Sequence, residues 1–232
     1  MNEFKHFSPA HCIYEEGWLS NELADQIWVE LRNPSSGVTQ KSNSRWTEPR
    51  LTTWFSEQGV AYNYSGIEQS SFGWPDWVDQ LAQMLASNQY RKPNSLLVNV
   101  YRNGDDKCSM HKDDEPLFDP TQPIFSVSLG ATRAFAVSTN RTSIEFTQNL
   151  TSGSLFTMLP GFQEKYFHGI SQEPNIQEPR INLTFRYVKP EEPEKTPEVD
   201  VQVNPHVDEP VKKANPWGVP DEVVEALKAE LK

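Results

Sequence analysis

The chain has 232 residues, of which 36% are hydrophobic and 23% are charged, and its formal net charge at pH 7 is −11. This length suits one domain of moderate size with extensions, and the low hydrophobic content indicates that part of the chain lies outside a packed core. The sequence contains neither an apolar run of the roughly 18 residues that cross a bilayer nor the basic and apolar regions of a signal peptide. Because its two cysteines, Cys12 and Cys108, follow no disulfide or zinc pattern, we expect a cytoplasmic protein that does not bind membranes.

The N-terminal part of the chain predicts a strand from residue 11, followed by two helices. The first helix is expected over residues 21–31 with Ser20 as its N-cap, and the second over residues 75–85 with Pro75 at its first position. Apolar residues recur at helical spacing in both segments: Leu23, Ile27 and Leu31 in the first, and Val78, Leu81 and Leu85 in the second. We expect these helices to support one sheet of an α+β fold.

Short strands are predicted from about residue 95 to residue 188, among them 126–129 and 134–137. Within 180–186 polar and apolar residues alternate strictly: Arg180, Asn182, Thr184 and Arg186 share one face, and Ile181, Leu183 and Phe185 share the other. In an ordinary half-exposed strand the two arginines would lie in water. If the polar face instead lines a cavity, the two guanidinium groups could bind a dicarboxylic acid by bidentate hydrogen bonds. Asn99 and Tyr101 repeat this alternation before His111.

One histidine and one carboxylate, His111 and Asp113, stand two positions apart. In an extended segment such residues share a face and can bind one metal ion. A second histidine, His168, lies far enough downstream for the chain to return to the same place through several strands. Two histidines and one carboxylate on one side of a metal leave the opposite positions open, as in non-haem Fe(II) oxygenases. The alternative is that these histidines bind no metal, since a His-x-Asp triplet often occurs by chance.

A series of motifs in this chain resembles the AlkB-like 2-oxoglutarate and Fe(II)-dependent dioxygenases. The motifs extend from about Pro49 to Tyr187, and their joint order and spacing carry the resemblance. In chain order they are Pro49-Arg50, Ala61-Tyr62-Asn63-Tyr64-Ser65-Gly66, Asn99-x-Tyr101-x-x-Gly104, His111-x-Asp113-Asp114-Glu115, Pro123-Ile124-x-Ser126-Val127-Ser128-Leu129-Gly130, Gly153-Ser154-Leu155, His168 and Arg180-x-Asn182-x-Thr184-Phe185-Arg186. The strand-rich segment is accordingly expected to form a double-stranded β-helix of the jelly-roll type.

The resemblance also implies the site residues and the cofactors. The iron ligands would be His111, Asp113 and His168. The residues that bind the co-substrate 2-oxoglutarate would be Asn99, Tyr101, Arg180, Asn182 and Arg186. With O₂, such a site converts 2-oxoglutarate to succinate and CO₂ and oxidises a C–H bond of the substrate.

The combination of Tyr-x-Tyr-Ser-Gly with His-x-Asp-Asp-Glu looks most like the branch of this family that repairs alkylated DNA and RNA bases. Hydroxylation of an N-methyl group would release formaldehyde and restore the base. A base methylated at a Watson–Crick nitrogen, such as 1-methyladenine or 3-methylcytosine, is cationic near neutral pH, so aromatic faces and carboxylates favour it. Such a base must leave the duplex to reach the iron.

Four residues are candidates for contacts with such a base. Tyr62 and Tyr64 could stack on it, and Asp114 and Glu115 could accept hydrogen bonds from its exocyclic amine. The alternative for the tyrosines is ordinary packing within strands, where aromatic residues are common. The alternative for the two acids is a solvated turn.

The net charge of −11 argues against strong binding of phosphates. Part of the acidity is local, because the chain from residue 190 onward has eleven acidic and five basic residues. Seven basic residues could still form a rim around the cavity: Lys41, Arg45, Arg50, Arg91, Lys92, Lys107 and Lys112. A surface of this kind suits short single strands, or a substrate delivered by a partner, better than tight binding of a duplex.

The predicted dioxygenase domain covers residues 1–189, with helical support over about 1–94 and the jelly-roll core over about 95–189. Residues 190–216 are rich in proline and acidic residues and predict an extended linker. Residues 217–232 predict a short helix with an apolar stripe of Val223, Val224, Leu227 and Leu231. This helix would either fray, or dock on the domain or on a protein partner with Trp217 as an anchor. We expect the protein to be a monomer.

Two other functional classes fit the same residues less fully. A 2-oxoglutarate-dependent hydroxylase or demethylase that acts on a protein or a small molecule would keep the iron and co-substrate residues. It would not need Tyr64, Asp114 or Glu115. A jelly-roll binding module without catalysis is disfavoured, because it would not require two histidines, a carboxylate and two arginines together.

Overall fold

A computed structural model of the chain describes residues 11–42, 47–58, 60, 62–64, 67–69 and 71–189, and for residues 34, 62–64 and 67–69 it describes the backbone alone. The predicted linker over 190–216 and the predicted helix over 217–232 lie outside the described residues. Among the described helices, none combines the length and the apolar character needed to cross a membrane. Cys12 and Cys108 are both free thiols.

Three α-helices lie in the described part of the chain. They are α1 (Asn21–Arg32), α2 (Asp76–Leu85) and α3 (Phe162–Lys165), and a 3-10 turn, Pro34–Ser36, follows α1. Ser20 caps α1 as the sequence predicts, because its hydroxyl accepts a hydrogen bond from the backbone N–H of Leu23 at 3.3 Å. The prediction for α2 was wrong by one position, since Pro75 has an extended conformation and is the N-cap rather than the first helical residue.

The described strands are, in chain order, β1 (Cys12–Glu15), β2 (Leu51–Ser56), β3 (Tyr62–Tyr64), β4 (Ile67–Gln69), β5 (Ser95–Tyr101), β6 (Cys108–His111), β7 (Ile124–Gly130), β8 (Arg133–Ser138), β9 (Phe146–Leu150), β10 (Leu155–Met158), β11 (Phe167–Ile170) and β12 (Arg180–Arg186). They form a major sheet in the order β1-β10-β7-β12-β5-β2 and a minor sheet in the order β6-β11-β8-β9. The hairpin β3-β4 stands apart as a two-stranded sheet. This antiparallel architecture fits the predicted jelly-roll.

The major sheet contains two strands from before residue 95, of which the sequence predicts β1 but not β2. It includes β1 and β2, which both come from the segment predicted to give helical support. Strand β2 shows no alternation of polar and apolar residues, because nearly all of its residues are buried on both faces of the sheet. The pattern that identifies a half-exposed strand was therefore missing from it.

Two faces of β12 have different surroundings. Ile181, Leu183 and Phe185 are at most 2% exposed and share one apolar core with residues of α1 and α2. Arg180 and Arg186 are also buried, although they lie on the opposite face. Of the two readings of this strand, the one that turns its polar face inward is correct.

A second apolar core joins the two large sheets. Phe135 of β8 in the minor sheet lies with its ring centroid 4.8 Å from that of Phe156 of β10 in the major sheet. The same core takes in Val137 and Ile170 from the minor sheet and Met158 from the major sheet. This contact closes one part of the space between the sheets, and a polar cavity remains beside it.

A truncation in the middle of the major sheet tests this arrangement. Leu183 is fully buried in β12, and we expect Leu183→Ala to lower the free energy of unfolding by about 2–5 kcal/mol. Val29 of α1 is 68% exposed, so Val29→Ala is the control and is expected to change stability by less than about 0.5 kcal/mol. Urea unfolding measures both, and an equally small loss for the two variants would contradict the central position of β12.

Candidate active site

The two histidines of the predicted metal site lie side by side on neighbouring strands. His111 at the end of β6 and His168 in β11 are direct partners in the antiparallel pairing, and their ring centroids are 4.3 Å apart. Gly169 makes this close approach possible, because a Cβ atom there would lie 2.7 Å from the carbonyl oxygen of Cys108 on β6. The close approach of the two paired strands thus places the two imidazole rings next to each other.

Asp113 completes a group of three possible ligands. Its Oδ1 lies 3.5 Å from Nε2 of His111, and its Oδ2 lies 3.9 Å from Nε2 of His168. One ligand atom from each residue lies within 4.8 Å of the others. Ligand atoms that each bind one divalent ion at about 2 Å are about 3–4 Å apart, so a small closure of this group would hold a metal.

The protonation states also suit a metal. Burial and the neighbouring charge of His111 lower the pKa of His168 to about 3, so its imidazole is neutral at pH 7 and can donate a lone pair. Burial would raise the pKa of Asp113, but Arg186 and His111 together lower it well below its ordinary value, so the carboxylate is ionised. Burial would lower the pKa of His111, whereas Cys108 and Asp113 more than offset this and raise it well above its ordinary value. A metal at Nε2 would displace that proton.

Hydrogen bonds fix the orientation of the ligands. Nδ1 of His111 lies 2.9 Å from the carbonyl oxygen of Ser109, which can only accept, so the proton belongs on Nδ1 and Nε2 faces Asp113. Arg186 donates to Oδ2 of Asp113 from Nη2 at 2.6 Å and from Nε at 3.2 Å. The side-chain oxygen of Gln163, in α3, accepts the backbone N–H of Asp113 at 3.0 Å.

One cavity between the sheets contains all eight residues that the resemblance assigns to iron or 2-oxoglutarate. They are Asn99, Tyr101, His111, Asp113, His168, Arg180, Asn182 and Arg186. Three come from β12 and two from β5, which are paired so that Asn182 lies opposite Asn99. The structure therefore brings the two predicted sets of residues together.

Arg180 has the features of an anion-binding residue. It is 1% exposed, and Nη2 donates to Oγ of Ser128 and to Oδ1 of Asn182, both at 2.9 Å. Its Nε and Nη1 are buried, and the described part of the chain offers them no acceptor with good hydrogen-bond geometry. The side chain of Tyr101 lies beside the guanidinium group, with its ring centroid 5.3 Å from Cζ. Burying such donors without an acceptor is costly, and a carboxylate oxygen of a ligand could accept from either of them. A dicarboxylic acid therefore fits the residues present here.

Two hydroxyl groups without a predicted role make hydrogen bonds to residues of the cavity. Ser126 and Ser128 alternate with apolar residues on β7, which is the same signal that identified the polar face of β12. Ser126 donates to Oδ1 of Asn182 at 2.7 Å. By contrast, no local pattern marks Gln163, because it reaches Asp113 from another element.

Two of the four predicted substrate contacts, Asp114 and Glu115, do not line this cavity. Asp114 is exposed, and Glu115 is half-buried with a pKa raised by burial and by the charge of Asp113. Both line an adjoining cleft of about 480 Å³ that shares Asp113 with the cavity. Tyr62 and Tyr64 belong to β3, but their side chains lie outside the described residues, so their predicted stacking stays a prediction.

Two residues of the predicted basic rim have charges that are engaged within the protein. Arg50 is 4% exposed and lines the cavity. Acceptors on neighbouring residues compensate for the burial of its charge. Lys92 is held by ion pairs to Glu57 at 2.7 Å and to Asp79 of α2 at 2.6 Å. Arg45 lies outside the described residues.

Two other cations lie next to the metal ligands in the chain or in the sheet. The Nζ atom of Lys112 and the Cζ atom of Arg141 each lie 4.9 Å from the ring centroid of Phe167. Lys112 follows His111, and Phe167 precedes His168. Positive charge is therefore present beside the site: Lys112 is one of the residues predicted for the rim, and Arg141 was not predicted.

Comparison with known proteins agrees with this geometry. The family model of the 2OG-Fe(II) oxygenase superfamily matches residues 11–186. The solved structure of OsALKBH1 resembles the fold with a TM-score of 0.53 and 20% sequence identity, over 78% of this chain and 100% of that one. At that identity the likeness bears on the fold alone.

Curated relatives carry the comparison further. Human alkB homolog 3, an alpha-ketoglutarate-dependent dioxygenase, is 31% identical over 198 residues, which are 78% of this chain and 66% of that protein. The mouse DNA oxidative demethylase ALKBH2 is 30% identical over 181 residues, which are 72% of this chain and 76% of that protein. The chain thus spans just under two thirds of the length of the first of these relatives. From the match over residues 11–186 and from these relatives, the chain belongs to the 2OG-Fe(II) oxygenase superfamily and, within it, to the AlkB-like dioxygenases.

Proposed function

We propose that this protein is an oxidative demethylase that repairs N-alkylated bases in DNA or RNA, with Fe(II), 2-oxoglutarate and O₂ as its cofactor and co-substrates. The observation that carries the proposal is one buried cavity that contains a two-histidine, one-carboxylate group and the unpartnered donors of Arg180. Relatives named as DNA oxidative demethylases support nucleic acid as the substrate.

Each set of residues has a distinct task in this proposal. His111, Asp113 and His168 hold the iron, and Arg180 binds a carboxylate of 2-oxoglutarate with Asn182 beside it. When bound, iron with 2-oxoglutarate and O₂ supplies the oxidation of a C–H bond, and 2-oxoglutarate leaves as succinate and CO₂. The two sheets bury these residues and exclude water, so that the oxidation is directed to the intended bond.

The substrate residues act on the base itself. Insertion of oxygen into an N-methyl C–H bond gives an N-hydroxymethyl group. Its C–N bond then breaks, so that the electron pair returns to the base nitrogen, the hydroxyl proton goes to solvent and formaldehyde is released. We propose that Glu115 accepts a hydrogen bond from the exocyclic amine of 1-methyladenine or 3-methylcytosine, with Asp114 as a second acceptor. Tyr62 and Tyr64 would stack on the base, and Lys112 would contact a phosphate of the same strand.

A protein or small-molecule substrate is the second candidate, and the cleft beside Asp113 favours it. Five of its lining residues are acidic and two are basic: Asp113, Asp114, Glu115, Asp119 and Glu164 against Lys112 and Lys189. Such a surface suits a cationic side chain as well as a cationic base. The iron and 2-oxoglutarate residues would be the same in both cases.

The remaining proposals concern the organisation of the whole chain. Residues 1–189 would form the dioxygenase domain, 190–216 a linker, and 217–232 a short helix that recruits a protein partner. The enzyme would be a monomer.

An oligonucleotide panel tests the proposed reaction. The full-length protein is incubated with Fe(II), 2-oxoglutarate and short single strands that carry 1-methyladenine or 3-methylcytosine. Mass spectrometry is expected to show the loss of one methyl group per lesion, with formaldehyde and succinate formed in equal amounts. The same strands without a lesion are the control.

The alternatives give different results in that assay. Succinate formation that does not increase with any methylated strand would favour the protein or small-molecule substrate. No turnover of 2-oxoglutarate under any of these conditions would contradict the proposed enzyme as a whole.

The metal assignment predicts a loss of binding when one ligand is removed. We expect His168→Ala to weaken the binding of Mn²⁺ by about tenfold or more and to abolish succinate formation, because two ligands cannot hold the ion in the same geometry. Titration calorimetry measures the binding. His11→Ala is the matched control, since His11 lies outside the ligand group, and an equal effect in both variants would refute the site.

The substrate assignment predicts a difference between two neighbouring acids. Glu115→Gln removes the charge of a half-buried acceptor, so we expect KM for the methylated strand to rise about tenfold, with little change in KM for 2-oxoglutarate. Asp114→Asn changes an exposed residue and is expected to alter either KM by less than about threefold. Steady-state kinetics with both substrates separates these outcomes, and a larger effect of Asp114→Asn would reverse the two roles.

A further inference from the structure

Arg50 reaches into the cavity from the chain just before β2. It is 4% exposed, and its Nε donates to Oδ1 of Asn99 on β5 at 2.6 Å. Both residues line the cavity that contains Arg180 and the three candidate metal ligands. The hydrogen bond is therefore short and buried. Its acceptor is a residue that, by the resemblance, would bind 2-oxoglutarate.

This hydrogen bond decides which way the Asn99 amide points. A guanidinium group has donors only, so it must meet the amide oxygen of Asn99 and not the amide nitrogen. The NH₂ group, with its two donors, is then the part of the amide left to face other partners. A ligand with carboxylate and keto oxygens needs donors around it, and an amide turned the other way would present an oxygen to an oxygen.

Arg50 is in turn held by a buried carboxylate. Oε1 of Glu48 lies 3.7 Å from Nη2 of Arg50, and Glu48 is 2% exposed. The other oxygen of Glu48 accepts a hydrogen bond from the hydroxyl of Thr52 at 3.0 Å, and Thr52 is paired in register with Asn99. Glu48 and Thr52 thus tie the position of Arg50 to the strand that carries its target.

We propose that Arg50 is a positioning residue for 2-oxoglutarate, which fixes the Asn99 side chain so that its NH₂ group donates to the bound co-substrate. The proposal rests on the proposed function, because it assumes that Asn99 binds 2-oxoglutarate. It adds a residue that does not itself contact the co-substrate and acts through Asn99.

A double-mutant cycle on the full-length protein, loaded with Mn²⁺ in place of iron, tests this coupling. Arg50→Gln and Asn99→Ala are each expected to raise the Kd for 2-oxoglutarate about tenfold, the loss of one hydrogen bond to a charged group. The double variant is expected to lie within about threefold of Asn99→Ala, because Arg50 acts only through Asn99. Arg91→Gln, at an exposed arginine bonded to Tyr187, is the control and should bind as the wild type does.

The outcomes separate this inference from the proposed function. Wild-type protein that binds Mn²⁺ but no 2-oxoglutarate would overturn both. Wild-type binding with an unchanged Kd in Arg50→Gln, or with effects that multiply in the double variant, would overturn the role of Arg50 alone.

A second variant avoids the removal of the buried arginine. Asn99→Asp keeps the shape of the side chain and the bond from Arg50, but replaces the donors that face the ligand with an acceptor. We expect it to fold and to bind 2-oxoglutarate at least tenfold more weakly than the wild type. Wild-type affinity in Asn99→Asp would show that the donor direction of residue 99 is irrelevant, and would overturn the proposal even if Arg50→Gln failed to fold.

Discussion

The burial of two guanidinium groups on one strand is the constraint on which the rest of this structure depends. Arg180 and Arg186 of β12 are 1% and 3% exposed, and removing such charges from water costs several kcal/mol each unless partners replace the water. Asp113 supplies a carboxylate to Arg186, and Ser128 and Asn182 supply acceptors to Arg180. These partners come from β7, from β12 itself and from the segment after β6, so the site requires both sheets.

The candidate metal ligands and the residues proposed to bind the co-substrate consequently form one electrostatic unit. Oδ2 of Asp113 faces His168 and also accepts from Arg186, so the carboxylate that would bind the metal also neutralises a cation of the co-substrate strand. Removing one partner of a buried ion pair strongly destabilises the folded protein, because the other charge is left buried without compensation. Burial opposes the ionised state of Asp113, which Arg186 and His111 nevertheless maintain by lowering the pKa of that carboxyl group. Burial favours the neutral state of His168, because it lowers the pKa of that imidazole.

The distribution of charge explains how an acidic chain can belong to a family with nucleic-acid relatives. The net charge of −11 is a property of the whole sequence, whereas Lys112 and Arg141 each lie 4.9 Å from the centroid of one ring beside the candidate metal ligands. Acidic residues dominate the adjoining cleft, which suits a cationic base more than a phosphate. The polarity of each small surface, and not the total, decides what can approach the site.

Helices and strands with strong local patterns are predictable from the amino-acid sequence. Ser20 and the apolar spacing gave α1, and the alternation over residues 180–186 gave a strand with one polar face, because both patterns act within a few residues of each other. The order of the motifs also identified His111, Asp113 and His168 as candidate metal ligands. Three features are visible only in the tertiary structure. The polar face of β12 is buried, β1 and β2 join the major sheet, and Arg50 lies against Asn99 instead of in solvent. These outcomes depend on contacts between residues far apart in the chain, where the cost of burying a charge is set by the partners that folding brings to it.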